Sequence, residues 1–365
     1  MHAAPEGPVG TFITEQVLPF WDELNEFPLV RSHMRFVLSQ LERRGFSVTG
    51  FRNIGRVFMH SNRVAGGSFG RLTTLVSDQA AEAAESKWLS RQYFTAAGLP
   101  VPTGELFTRD QYDDAARYAS SATVPLVLKS DHARHAQGMT FGITGAESFQ
   151  QPWEAAVHAG QEHAHSEGEV LLEEFLEALT VRFFIIGSAP RAATVRVPLF
   201  VVGDGRRSIR ALLQASFDHR RRNRALELSI PEITEELVEG ADLNAVPARD
   251  ELRILSRAPA VLRGALPVDV TETISQDLTQ LAVDAAAAIP GLTVTAVDVL
   301  TPDLDSADEA VVLDVDPRAS LRMHRYPAVG TRRLLPGAIA DQIRLRARFA
   351  DRPRETGLLD WDEPE

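Results

Sequence analysis

Apolar positions along this chain switch between helical and strand spacing. Phe12, Val17, Leu18 and Trp21, then Leu29, Met34, Val37, Leu38 and Leu41, recur three or four residues apart, which predicts helices within 11–45. Strands are predicted over 46–51 and 56–60. The stretch 60–75, HSNRVAGGSFGRLTTL, is small and polar and reads as a connecting loop. Its Gly66-Gly67-Ser68-Phe69-Gly70 lacks the GK[ST] ending of a Walker A phosphate loop. One helix is predicted over 77–97, with Lys87 in its middle, stopped by Gly98 and by Pro100 and Pro102. Pro125 then precedes Leu126-Val127-Leu128-Lys129, a short apolar strand that delivers a lysine at its end.

The polar loop 130–142 follows, holding His132, Arg134, His135, Gly138 and Gly142; its backbone N–H groups and cations suit a position over phosphates. Residues 147–166 read as a helix with surface histidines. The run 169–186, EVLLEEFLEALTVRFFII, reads as two strands around a short link, carrying Glu173, Glu174 and Arg182. Another strand, 191–196, ends in Arg196, and Gly203-Asp204-Gly205 is a tight turn. The helical stretch after it closes in Asp218-His219-Arg220-Arg221-Arg222-Asn223-Arg224, either a solvated helix end or a local site for an anionic substrate. Residues 227–250 are acidic and expected to be exposed. A helix is predicted over 274–289 and a strand over 292–300 that carries Asp298.

The most unusual pattern comes late. Ala310-Val311-Val312-Leu313 is a β-branched apolar run, yet it continues into Asp314-Val315-Asp316. Residues two apart on a strand share a face, so both carboxylates converge on one side. Two like charges so close raise each other's pKa unless a cation lies between them, and carboxylate oxygen is what Mg²⁺ prefers. A strand end whose acids face water is the alternative. Pro317 ends the strand, and Arg318, Arg322 and His324 follow it, suited to phosphate or carboxylate groups.

Composition changes this picture in two places. The 365 residues carry a net charge of −12, which argues against nucleic-acid or anionic-membrane partners. With no cysteine, disulfides, thiolate zinc sites and thiol nucleophiles are all excluded. The opening MHAAPEGPVG has no signal-peptide character, and no apolar run reaches the roughly 18 residues of a membrane span, so a cytoplasmic protein is expected. Of 38 basic residues only Lys87 and Lys129 are lysines. A chain that uses arginine elsewhere keeps lysine where a compact ammonium must reach one oxygen.

In order and content these pieces resemble the ATP-grasp superfamily, ligases that join a carboxylate to an amine at the expense of ATP. The likeness is to the ATP-grasp module of cyanophycin synthetases and bifunctional glutathione synthetases, and covers roughly residues 78–345. It is carried by KWLSRQYFTAAGLPVP, LVLKS with HARHAQGMT, LLEEF…VRFFIIG, RVPLFVVGDGRRSIRALL, PVDVTE, TAVDVL and VLDVDPRASLRMH. The resemblance implies an α/β (α+β) ATP-grasp fold, two α+β subdomains clasping ATP, over 78–349, with a lid-like subdomain at about 124–188. Residues 1–77 would be a small N-terminal α/β region on the substrate side, and 350–365 a charged, disordered tail.

The same resemblance implies site roles. Lys87 and Lys129 match the lysines that hold nucleotide phosphates, with His135 and Gly138 in the mobile loop. Glu173, Glu174, Phe175 and Leu176 match the segment that contacts adenine, and Thr180 stands where a glutamate usually contacts ribose. Asp298, Asp314 and Asp316 match the ligands of Mg²⁺ (or Mn²⁺), although the family has Glu at the second and Asn at the third. Arg182, Arg196 and Arg322 match positions near the transferred phosphoryl group, and His324, Arg221 and Arg222 are candidate substrate contacts. Ala133 and Ala178 replace family glycines, and Ser320 replaces the glycine before LRMH. The implied activity is an ADP-forming ligase making an amide or peptide bond through an acyl phosphate, with small carboxylate and amine substrates (amino acids or short peptides) as partners. A homodimer is left open. The altered metal and ribose positions leave two alternatives: a nucleotide-binding protein without ligase activity, or a phosphotransferase.

Overall fold

The computed structural model describes residues 7–51, 55–133, 136–147, 149–163 and 166–350, with side chains as far as Ala347. His135, assigned above to the phosphate loop, and the tail from 351 lie outside the described residues. The chain opens with α1 (Pro8–Phe12), which runs into a π turn and a 3₁₀ turn as far as Glu23. Helix α2 (His33–Glu42) is capped by Ser32, whose hydroxyl accepts the Arg35 N–H. Leu29, read above as part of a helical face, lies between the helices and is 79% exposed. Next comes an antiparallel meander of β1 (Ser47–Gly50), β2 (Gly55–His60), β3 (Arg63–Phe69) and β4 (Leu72–Thr73). Two of these strands occupy the stretch read as a loop. Its small residues serve close strand pairing instead: a Cβ at Gly67 would come within 2.6 Å of the Arg56 carbonyl oxygen.

The helix predicted over 77–97 is two helices, α3 (Asp78–Ala83) and α4 (Lys87–Ala96). Ser86 caps the second by accepting the Leu89 N–H, and the Ser90 hydroxyl bonds back to the Ala83 carbonyl across the joint. Lys87 therefore stands at a helix start and not in mid-helix. A four-stranded antiparallel sheet follows, in the order β5-β8-β6-β7, from β5 (Gly104–Phe107), β6 (Leu126–Ser130), β7 (Thr140–Ile143) and β8 (Val170–Glu174). Helices α5 (Tyr112–Ser121) and α6 (Gln150–Gln161) close its core around Leu126, Leu128, Phe149, Trp153 and Leu172.

The central sheet is five-stranded and antiparallel, in the order β13-β10-β9-β14-β15. It is built from β9 (Leu179–Ile186), β10 (Ala189–Val197), β13 (Leu266–Asp269), β14 (Val294–Thr301) and β15 (Val311–Asp316). Between β10 and β13 lie the ribbon β11 (Phe200–Val202) with β12 (Leu252–Ile254), and the helices α7 (Ile209–Arg220) and α8 (Arg224–Glu227). The acidic stretch 227–250 exposes its carboxylates, but Leu237, Val238 and Leu243 are buried against α7. Helix α9 (Gln276–Ala288) covers one face of the central sheet, burying Val181, Phe183, Val195 and Val297. Each such side chain contributes about 1.5–3 kcal/mol.

The opposite face is divided along its length. Phe184, Ile186 and Ala296 are buried under α2 and α11 (Leu335–Ala350), which joins the N-terminal meander to the sheet. Further along the same strands the period-two pattern continues with Arg182, Thr180 and Asp298, which among the described residues neither α2 nor α11 covers. The short α10 (Arg322–Arg325) follows β15 at that end. Among the described residues no helix is long and apolar enough to cross a membrane.

Candidate active site

A cleft of about 1000 Å³ lies between the β5–β8 sheet and the uncovered end of the central sheet. Register builds its floor. Asp298 on β14 pairs with Arg182 on β9 and with Asp314 on β15, and Asp316 stands two residues beyond. Arg182 donates two hydrogen bonds of 2.7 Å to Asp298, and Arg196 on β10 approaches the same carboxylate at 2.8 Å. The Arg182 guanidinium also lies 3.7 Å from Asp316. A polar ladder thus crosses four strands in the order Arg196, Arg182, Asp298, Asp314.

Neighbours set the charge states. Burial would raise the Asp298 pKa, but Arg182 and Arg196 outweigh it and hold the carboxyl below its usual range. Burial lowers Arg196 to about 10, and it remains charged at neutral pH. Asp314 goes the other way: burial pushes it up to about 6, the cations of Lys87 and Lys129 only partly opposing the added effect of Asp298 and Asp316. A half-buried acid with a raised pKa beside two others is a place where a cation stabilises the ionised form.

The opposite wall carries the two lysines. Lys129 on β6 forms a buried ion pair with Glu173 on β8, and Arg91 of α4 reaches the other Glu173 oxygen at 3.3 Å. Lys87 donates 2.7 Å bonds to the carbonyls of Asp131 and Ala133, and burial lowers its pKa. Asp131 in turn accepts from the Ser86 hydroxyl at 2.6 Å and from the Trp88 N–H at 2.7 Å. The start of α4 and the start of the 130–142 loop are thereby tied together. Phe175 packs edge-on to Phe141 and under the Arg257 guanidinium, 5.5 Å from its ring.

Most residues singled out in the sequence meet here. Lys87, Lys129, Glu173, Glu174, Phe175, Leu176, Thr180, Arg182, Arg196, Asp298, Asp314, Asp316 and Arg322 all line the cleft. Four lie elsewhere. His324 is fully buried behind the polar ladder, with Nδ1 2.7 Å from the Thr194 hydroxyl, and burial lowers its pKa to about 3. Gly138, in a left-handed conformation at φ 60°, backs onto α6, where a Cβ would meet the Ala155 carbonyl at 2.7 Å. Arg221 and Arg222 lie on the exposed end of α7, against Asp218 and Glu26.

Sequence reading passed over Arg91, Asp131 and Arg257, and, although it put the N-terminal region on the substrate side, did not single out Val9 and Arg71, which line the cleft from that region. Asp131 alone left a signal, as an acid directly after a buried apolar strand. Among the described residues no group of three or more acidic, histidine or cysteine side chains is arranged to hold a metal ion. Both oxygens of Asp298 are taken by guanidinium groups, which leaves Asp314 and Asp316 as the carboxylates of the cleft floor that could hold a cation.

Comparison with known proteins identifies the fold. No family model matches the sequence. The chain is 28% identical over 265 residues to the glutathione biosynthesis bifunctional protein of Enterococcus faecalis, covering 69% of this chain and 34% of that protein. It is 25% identical over 258 residues to the cyanophycin synthetase of Geminocystis herdmanii, covering 68% of this chain and 29% of that one. It therefore spans about a third of the length of the curated relatives it matches. Among solved structures, the bifunctional glutathione synthetase from Pasteurella multocida superposes with a TM-score of 0.56 at 22% identity, over 85% of this chain and 43% of that one. Two charged walls facing across a cleft, on this architecture and with these relatives, give the chain an ATP-grasp fold similar to part of the bifunctional glutathione synthetases and cyanophycin synthetases.

Proposed function

We propose that the chain is an ATP-dependent, ADP-forming carboxylate–amine ligase that makes an amide or peptide bond on amino acid or short-peptide substrates. The observation that carries this reading is the pairing of the two cleft walls: the buried Lys129 and half-buried Lys87 on one, and a ladder of arginine and aspartate on the other. A carboxylate is a poor electrophile. Its oxygen attacks the terminal phosphorus of ATP, the bond to ADP breaks, and the acyl phosphate formed is attacked by an amine that displaces phosphate. Positioning and charge neutralisation do most of the work in such a transfer.

In this reading Lys129 and Lys87 hold the nucleotide phosphates, Glu174, Phe175 and Leu176 border the adenine, and Thr180 lies toward the ribose. Arg182, Arg196 and Arg322 face the transferred phosphoryl group. Asp314 and Asp316 would hold Mg²⁺ (or Mn²⁺) together with the phosphates, a ligand number usual for that ion. The ion would supply charge neutralisation at the phosphates. Asp298 then acts on the two arginines, holding them charged and in place. Relatives named for glutathione biosynthesis and cyanophycin synthesis support amino acids or short peptides as the substrate class.

The test is ADP release measured with amino acids and dipeptides, singly and in pairs, with the product weighed by mass spectrometry. Amide formation only with a matched acid and amine is expected. A stable phosphorylated product without amide would replace the ligase reading by a phosphotransferase, and ATP binding without turnover would leave a nucleotide-binding protein.

A further inference from the structure

Past Arg196 the cleft changes character. Register sets Pro267 of β13 beside Arg196, on the side away from β9 and its Arg182. Just beyond the end of β10, the Leu199 carbonyl accepts the Leu255 N–H at 2.7 Å, which ties the 254–262 segment to that edge of the sheet. Leu226, Val238, Ile254, Val261 and Leu262 all line the cleft. Two of these side chains are large, apolar and open: Leu262 is 52% exposed and Ile254 36%.

The polar groups of this segment are already engaged. Glu239 accepts the Ser256 hydroxyl at 3.0 Å and the Arg257 N–H at 2.6 Å. The Ala260 carbonyl accepts from the Arg263 and Ala265 N–H groups and the Val261 carbonyl from Gly264, while Pro259 has no N–H to offer. The Arg257 guanidinium lies over the Phe175 ring, toward the β5–β8 sheet. A charged or polar group laid against residues 259–262 would lose water without gaining a partner, whereas an apolar group is favoured in proportion to the area it covers. The cleft, at about 1000 Å³, stands at the upper end of the range for single-ligand pockets, which leaves space for a second molecule beside a nucleotide. We propose that this wall is the specificity pocket for one of the two substrates, and that this substrate carries a large apolar group, of the size of a leucine or phenylalanine side chain. With the reacting groups held at Arg182 and Arg196, as in the ligase reading on which this rests, the remainder of that molecule extends past Arg196 onto the wall.

Amide formation by the full chain with ATP, Mg²⁺ and all pairs of leucine, phenylalanine, alanine, glutamate and lysine tests this. Fragmentation of the product by mass spectrometry shows whether the apolar residue supplied the acid or the amine. Leucine or phenylalanine in one position is expected to give a kcat/KM about 10–100-fold above alanine, and further above glutamate and lysine. Leu262→Asn and Ile254→Asn, both at exposed positions, should each shrink that preference about 10-fold, with the Kd for ATP and the Tm as in wild type. An absence of amide from every pair would count against the ligase reading itself. Calorimetric titration of the same amino acids into wild type and Leu262→Asn then decides the pocket, with tighter binding of leucine and phenylalanine expected in wild type alone. Amide made best with alanine, glutamate or lysine in both positions, or calorimetric binding without preference for apolar side chains, would overturn the proposal. So would a loss of ATP affinity in Leu262→Asn with the side-chain preference intact, which would assign the wall to the nucleotide.

Discussion

The two walls of the cleft hold charge in opposite ways. On the β5–β8 side each lysine is tied up: Lys129 by Glu173, which Arg91 also binds, and Lys87 by two loop carbonyls. On the central sheet the arginines are tied up by Asp298, while Asp314, among the described residues, forms no ion pair and has a raised pKa. One wall thus offers cations whose present partners are a carboxylate and backbone oxygens, and the other offers an acid in need of a cation. In the function proposed above, a metal–nucleotide complex would supply what each lacks: phosphate oxygens for the lysines and a divalent ion for the acids. Free energy spent burying charge is recovered on binding, which is why such groups mark sites more often than scaffolds.

The largest expected effect breaks the lysine wall. Lys129→Arg keeps the charge but places a planar guanidinium in a buried space shaped for an ammonium, and turnover should fall by about 10²–10³-fold. Wild-type kcat in that variant would remove Lys129 from phosphate binding. On the other wall, Asp298→Ala takes from the largely buried Arg196 its carboxylate partner and leaves Arg182 only Asp316 at 3.7 Å, so unfolding free energy should drop by roughly 3 kcal/mol, read from denaturant melts. An unchanged midpoint would mean that the ladder holds together without its central acid.

Asp314 separates the walls by sign. Its pKa is raised from 3.8 to about 6 in the folded protein, so folding binds a proton between those values. Without metal, its contribution is most favourable below pH 3.8 and declines as pH rises through 6. Asp314→Asn should therefore gain stability relative to wild type between pH 4 and 6 and hold the gain at pH 7, while losing most turnover. If both proteins show the same pH profile of Tm, the acid is not held in an unfavourable state. Asp316→Asn, which restores the family's residue, should retain activity within a few-fold, checked by titrating Mg²⁺ against turnover.

The smallest effect concerns the surface arginines. Arg221→Glu with Arg222→Glu should leave KM for every substrate nearly unchanged, since both side chains lie outside the cleft and pair with local acids. A rise in KM for one substrate would bring the α7 end back as an anion-recognition surface.

Local chemistry determined much of this protein. Two lysines among 38 basic residues, and two aspartates two apart at the end of an apolar strand, are recognisable without a fold because each violates its surroundings. Period two alone put Asp314 and Asp316 on one face, and the order of motifs, by resemblance, pointed to the ATP-grasp fold. Pairings between distant strands could not be read in the same way. That Asp298 serves two arginines depends on the register of β9, β10 and β14, which brings together residues more than 100 positions apart. The 60–75 stretch was misread because glycine signals a turn locally, whereas here it allows the close approach of a partner strand that only the tertiary fold supplies. Arg220 differs from its neighbours for the same reason. Sequence shows a run of similar cations, and packing against Trp21 and Gly264 decides which of them loses contact with water.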